Sequence, residues 1–130
     1  MENAGSLTKW RAEKAKMALS SAEKNLKIGE YATSLNRSYY AVFYAMQAAN
    51  SLYGYDSRKH SGVISFFRRT FLKGGLLPTD LSDRITDTAK YRERADYEDM
   101  YEASEEIAQI QLENAILFVE TVASYIETMT

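Results

Sequence analysis

The sequence predicts an all-α fold, an antiparallel four-helix bundle with an additional short helix. Three observations predict it. Apolar residues recur at alternating three- and four-residue spacings over long stretches, the period of one helix face. Glycine (6) and proline (1) are scarce, so long helices meet few breakers. No stretch alternates apolar and polar residues as a half-buried strand does. A chain of 130 residues holds one hydrophobic core, which makes residues 1–130 a single helical domain.

The first helix is expected over residues 6–28. Ser6 offers a cap oxygen, Leu7, Trp10, Met17 and Leu26 fall toward one side, and Gly29 is a natural stop. The second, over residues 31–53, carries the clearest period: Leu35, Tyr39, Val42, Met46, Ala49 and Tyr53 form a core stripe. At about 100° per residue, Arg37, Tyr40, Tyr44, Gln47 and Ser51 line up on another side. That second face is too apolar for water and too polar for a core, which suits a dimer seam formed by Arg37, Tyr40, Tyr44 and Gln47. Gly54 ends the helix, and a polar connection leads to a third helix over residues 61–72, with Val63, Ile64, Phe67 and Phe71 on one arc. Gly74 and Gly75 break it. Pro78, Thr79 and Asp80 restart a helix that is expected to run to about Arg92. Ser104 caps the last helix, Glu105 and Glu106 complement its dipole, and Ala108, Leu112, Ala115, Val119, Val122 and Ile126 form its buried stripe.

Composition excludes several classes of function. Apolar residues at 45% rule out a disordered chain, and the absence of cysteine removes disulfides and thiolate metal sites and suits a reducing cytoplasm. One histidine and no cysteine leave no structural zinc site, and no cofactor motif is present. The GGLLP turn lacks the lysine and hydroxyl residue of a phosphate-binding loop. No secretory leader or membrane-spanning stretch is visible. Charge is unevenly spread. Residues 58–95 hold nine basic and four acidic groups, whereas everything from Asp96 onward holds nine acids and no Lys or Arg. Such asymmetry implies internal charge pairing or a polarised binding surface.

Three segments carry a resemblance to a known family: NRSYYAVFYAMQA (residues 36–48), DSRKHSGVISFF (56–67) and YRERADYED (91–99) before the capped acidic helix. In this order and at this spacing they resemble the small stand-alone HEPN-domain proteins of prokaryotes. The resemblance spans residues 8–127. It implies a helical bundle that usually dimerises and is often paired with a minimal nucleotidyltransferase in a toxin–antitoxin system. Many members of the wider group are metal-independent ribonucleases. Their signature is an Arg followed, after about four to six residues, by His at the start of the last long helix, frequently with a Tyr two places on.

The sequence departs from that signature. Its one histidine, His60, lies in another connection, and the motif's place is taken by Arg92, Glu93, Arg94, Ala95, Asp96 and Tyr97. Carboxylates and phenols ordinarily titrate near about pH 4 and 10, far from neutrality, so the expected proton-transfer group is missing and the reading leans away from an enzyme. Arg92, Arg94, Asp96 and Tyr97 remain the only catalytic candidates. Arg92 and Arg94 supply fixed positive charge, and Tyr97 a stacking surface beside them, equipment suited to phosphate and base contact. By position alone, Tyr97 is also a candidate adenylate acceptor. Arg58, Lys59 and His60 offer a second ligand-binding corner at a helix start. The expected function is therefore a dimeric HEPN-type module binding RNA, a nucleotide or a nucleotidyltransferase partner. The alternatives are a ribonuclease with a degenerate motif and a purely structural adaptor.

Overall fold

The structure, a computed structural model, describes residues 2–129, with side chains described from residue 5. Five α-helices follow one another: α1 (Glu2–Lys27), α2 (Tyr31–Ser51), α3 (His60–Phe67), α4 (Leu81–Tyr97) and α5 (Glu105–Met129). A π-helical turn, Arg68–Lys73, continues α3, and no strand occurs among the described residues. Helix α2 is the centre of the bundle and touches every other helix.

Its expected stripe of Leu35, Tyr39, Val42, Met46 and Ala49 is buried, and Ala41, Phe43, Ala45 and Ala48 are buried as well, so α2 is enclosed on nearly all sides. Tyr53 departs from the stripe. The helix ends at Ser51, Gly54 turns the chain at φ +79°, and Tyr53 is left exposed with its hydroxyl 2.6 Å from that of Tyr125.

Helix α1 also differs from expectation. Ser6 lies inside the helix instead of capping it, and Trp10 and Met17 are exposed. The buried face consists of Thr8, Ala15, Ala18 and Ala22, a small-residue face that lets α1 approach α2 closely. The fit is tight enough for Ser34 Oγ to donate to the Ala22 carbonyl at 2.8 Å. Large residues were the wrong signal here because the space beside α2 is already filled by its own side chains.

Helix α3 and the π turn bury Val63, Phe67 and Phe71, with Phe67 stacked on Phe71 (5.0 Å between ring centres) and 5.5 Å from Phe118 of α5. Helix α4 does not stop near Arg92 but continues through Tyr97, so the candidate residues Arg92, Arg94, Asp96 and Tyr97 stand on a helix and not in a loop. Ser104 caps α5 as expected, accepting from Ile107 N at 3.2 Å, and all six residues of the α5 stripe are buried. None of the helices is long and apolar enough to cross a membrane, among the described residues.

Candidate functional site

Two of the separate sequence candidates meet in space. The tyrosines Tyr39 and Tyr40 of α2 stand between His60, at the start of α3, and Arg92, in the last turns of α4. His60 lies flat against Phe43, with ring centres 4.2 Å apart, and meets the edge of Tyr40 at 5.7 Å. Its Nδ1 is 2.8 Å from the Tyr39 hydroxyl. On the other side, the Arg92 guanidinium sits 5.3 Å from the centre of Tyr39, 5.2 Å from Tyr40 and 5.4 Å from Tyr97. Three tyrosine rings thus surround one guanidinium, an arrangement that favours the cation through ring quadrupoles.

Hydrogen bonds hold Arg92 in one pose. Its Nε donates to Asp96 Oδ2 at 3.0 Å, while one terminal nitrogen donates to Tyr40 Oη at 3.0 Å and reaches Tyr97 Oη at 3.5 Å. Asp96 is held in turn by Asn36 Nδ2 at 3.0 Å, and Arg37 Nε donates to Asn36 Oδ1 at 3.0 Å. Arg92 is therefore ion-paired with its own chain, and its side chain is only 16% exposed. The Tyr40 and Tyr97 contacts are neutral, so Asp96 is the one carboxylate paired with it among the described residues.

The electrostatics follow from this packing. Burial, and secondarily the Arg92 charge, hold His60 below the ordinary histidine range, so the ring is neutral at physiological pH. Burial pushes the Tyr39 phenol up to about 12, outweighing the opposing pull of Arg92. Burial opposes charge on Arg92, but Tyr40, Tyr97 and Asp96 together raise its pKa further. A protonated phenol donating to Nδ1 leaves the imidazole proton on Nε2, which then serves as a donor toward an anion.

The other candidates are more dispersed. Arg94 is 41% exposed, with Nε 3.9 Å from Glu98 Oε2 and its guanidinium 5.4 Å from the Tyr91 ring. Tyr97 is 71% exposed and covers Arg92 from outside. Arg58 and Lys59 are exposed, whereas the His60 ring turns inward onto Phe43, so the three do not form one corner. Arg58 instead lines a surface groove of about 450 Å³ with Trp10, Lys14, Tyr40 and Tyr44. The second face of α2 is partly consumed inside the chain. Gln47 is buried and donates to the Ser57 carbonyl at 3.0 Å, and Ser51 is buried with its hydroxyl 2.5 Å from that of Thr8. Only Arg37, Tyr40 and Tyr44 of that face stay partly open. Sequence reasoning assigned Tyr39 to the core stripe and passed over Asn36 and Phe43. The available signal was Tyr39 itself, since a tyrosine on a core stripe needs a partner for its hydroxyl.

The cluster joins the middle of α2 to the start of α3 and the last turns of α4. The chain matches the HEPN domain family model over residues 8–125 and belongs to the HEPN family. It is 30% identical over 114 residues to a candidate toxin of Methanocaldococcus jannaschii, covering 88% of this chain and 78% of that protein. It is 31% identical over 120 residues to a UPF0332 protein of Thermotoga maritima, covering 92% and 90% respectively. Among solved structures, TT1696 from Thermus thermophilus superposes with a TM-score of 0.73 at 20% identity over 91% of this chain and 97% of that one, a likeness of fold.

Proposed function

We propose that this chain is a dimeric HEPN module of the toxin–antitoxin kind, which binds RNA or nucleotide phosphate at the Arg92 cluster and works with a minimal nucleotidyltransferase. The toxin reading draws on the naming of its archaeal relatives. The binding reading rests on one observation: a guanidinium preorganised between Tyr39, Tyr40 and Tyr97, with neutral His60 on the far side of the same tyrosines. Phosphate reaches Arg92 by displacing the weakly held Tyr97 hydroxyl, and exposed Arg94 supplies a second charge beside it. The open part of the α2 face, Arg37, Tyr40 and Tyr44, serves the dimer seam. Titration with single-stranded RNA and with ATP at two salt concentrations tests the binding reading. Affinity should fall as salt rises, and Arg94→Ala with Tyr97→Ala should weaken it by about tenfold or more. Salt-independent binding, or binding indifferent to both changes, rejects the site.

The approach of His60 and Arg92 to one tyrosine pair favours a second reading, a metal-independent ribonuclease whose histidine comes from α3 instead of the linear motif. That role needs the opposite tautomer, with Nδ1–H donating to Tyr39 and Nε2 free to take the proton of a 2′-hydroxyl. Incubating RNA with the protein in chelator decides it. Cleavage should drop about a hundredfold to ten-thousandfold in His60→Ala, and cleavage that persists in that variant excludes the reading.

A further inference from the structure

We propose that the outer face of α3 and the π turn forms a second anion site, a track for the phosphodiester backbone of single-stranded RNA, separate from the Arg92 cluster. A groove of about 510 Å³ runs along this face, lined by Ser61, Ile64, Ser65, Arg68, Arg69 and Lys73. None of its three cations forms an ion pair with a carboxylate among the described residues, whereas Arg11, Arg84, Arg92 and Arg94 each have one.

The π turn is what gathers these cations. In an α-helix a residue five places on lies about 140° round the axis, so Lys73 would face away from Arg68. A turn bonded from residue i to i+5 widens the helix and returns Lys73 toward Arg68, close to the direction of Arg69. Gly74 permits the closure, because a β-carbon there would lie 2.1 Å from the Thr70 carbonyl oxygen. Arg68 is anchored to α4, donating to the Ser82 carbonyl at 3.1 Å and Thr86 Oγ1 at 2.8 Å, and its Nε is buried without a partner. Arg69 lies over the Phe66 ring at 5.6 Å, and Phe66 is stacked on Tyr55 at 4.2 Å. Two of the cations are thus held by packing before any ligand arrives, and three like charges in one groove repel until an anion joins them.

Phosphodiester fits this face better than an acidic peptide for two reasons. Ser61 and Ser65, one turn apart, place hydroxyl donors in line with the cations, suiting the paired oxygens of successive phosphates. The stripe from Ser61 to Lys73 is about 18 Å long at 1.5 Å per residue and begins beside His60. A strand engaged at the Arg92 cluster reaches it by passing Tyr39 and Tyr40 of α2, which contact both Arg92 and His60; this continuity rests on the binding reading above.

The test measures affinity for an unstructured 12-nucleotide RNA as a function of salt, using the full chain, Arg69→Ala/Lys73→Ala, and Arg94→Ala/Tyr97→Ala. Both exchanged cations are outward-facing, and an unchanged melting temperature verifies folding. The groove variant should bind about tenfold or more weakly, and its log–log salt slope should be shallower by about 1.4, two released counterions at about 0.7 each. Full affinity and slope in that variant overturn the track while leaving the Arg92 reading intact if its own variant is weakened. Absence of RNA binding by the unaltered chain overturns both. Polyglutamate of equal charge competing as well as RNA overturns the phosphate assignment in favour of an acidic protein partner.

Discussion

His60 shows how much a single residue's meaning depends on its surroundings. In the linear chain it is a histidine in the wrong connection. In the fold its imidazole is stacked on Phe43 and bonded to Tyr39, with Arg92 near enough to disfavour its protonation. The pH dependence follows with a definite sign. Because the folded-state pKa lies below the unfolded value of about 6.5, the unfolded chain takes up the proton first. Stability is full above that value and is lost as pH falls from it toward the lowered folded pKa. Thermal melts at pH 7.5 and 5.5 should show a larger drop for the native protein than for His60→Gln, and equal drops refute the assignment. Met100 gives a second prediction. It is fully exposed at φ +63°, a left-handed conformation that costs a side chain about 1–2 kcal/mol. Met100→Gly should raise unfolding free energy by about 0.5–1 kcal/mol in urea titration, the remainder being offset by glycine's greater entropy when unfolded.

Among the elements, the patterns that were legible are those set by burial of large residues. The α2 and α5 stripes could be read because bulky side chains at helical period have nowhere else to go. Helix α1 could not, since its contact face is Thr8, Ala15, Ala18 and Ala22, and alanine also suits a solvent-facing helix surface. The closeness of α1 to α2 makes Ala18→Leu overpacked, with an expected loss of about 1–3 kcal/mol by chemical denaturation. An unchanged midpoint would show that the helices yield. The length of α4 was misread for a related reason. The charged run through Asp96 looks like a loop until Arg92 and Asp96, and Arg94 and Glu98, are seen as pairs four residues apart along the helix and its end. The cap at Ser104 carries the usual signature. Ser104→Ala should cost about 0.5–2 kcal/mol, measurable in the same denaturation experiment.

At the scale of the whole molecule, the segregated charge is paired internally in part. The arginines of α4 pair with acids of α4 or just beyond it, and the acids of α5 form no ion pair among the described residues. Helices α4 and α5 pack together and are also joined by the Arg84 to Asn114 hydrogen bond at 2.6 Å, to a neutral side chain. Arg58, Lys59, Arg68, Arg69 and Lys73 likewise form no ion pair among the described residues. The core is aromatic, and Phe118→Ala, beneath Phe67, should cost about 3–5 kcal/mol. For the proposed dimer, light scattering should find two copies of the native chain and one copy of Tyr44→Glu. A native monomer at micromolar concentration removes the seam.

What the amino-acid order settled unaided was the all-helical class, the stripes of α2 and α5 and the family, since hydrophobic period and contiguous motifs are local properties of a chain. What required the tertiary structure was the composition of the site. His60, Tyr39 and Arg92 are far apart in sequence, and only the crossing of α3 and α4 over the same stretch of α2 brings them together. The π turn that gathers Arg68, Arg69 and Lys73 is likewise invisible in the residues alone, because helical period cannot show where one turn has been widened by packing.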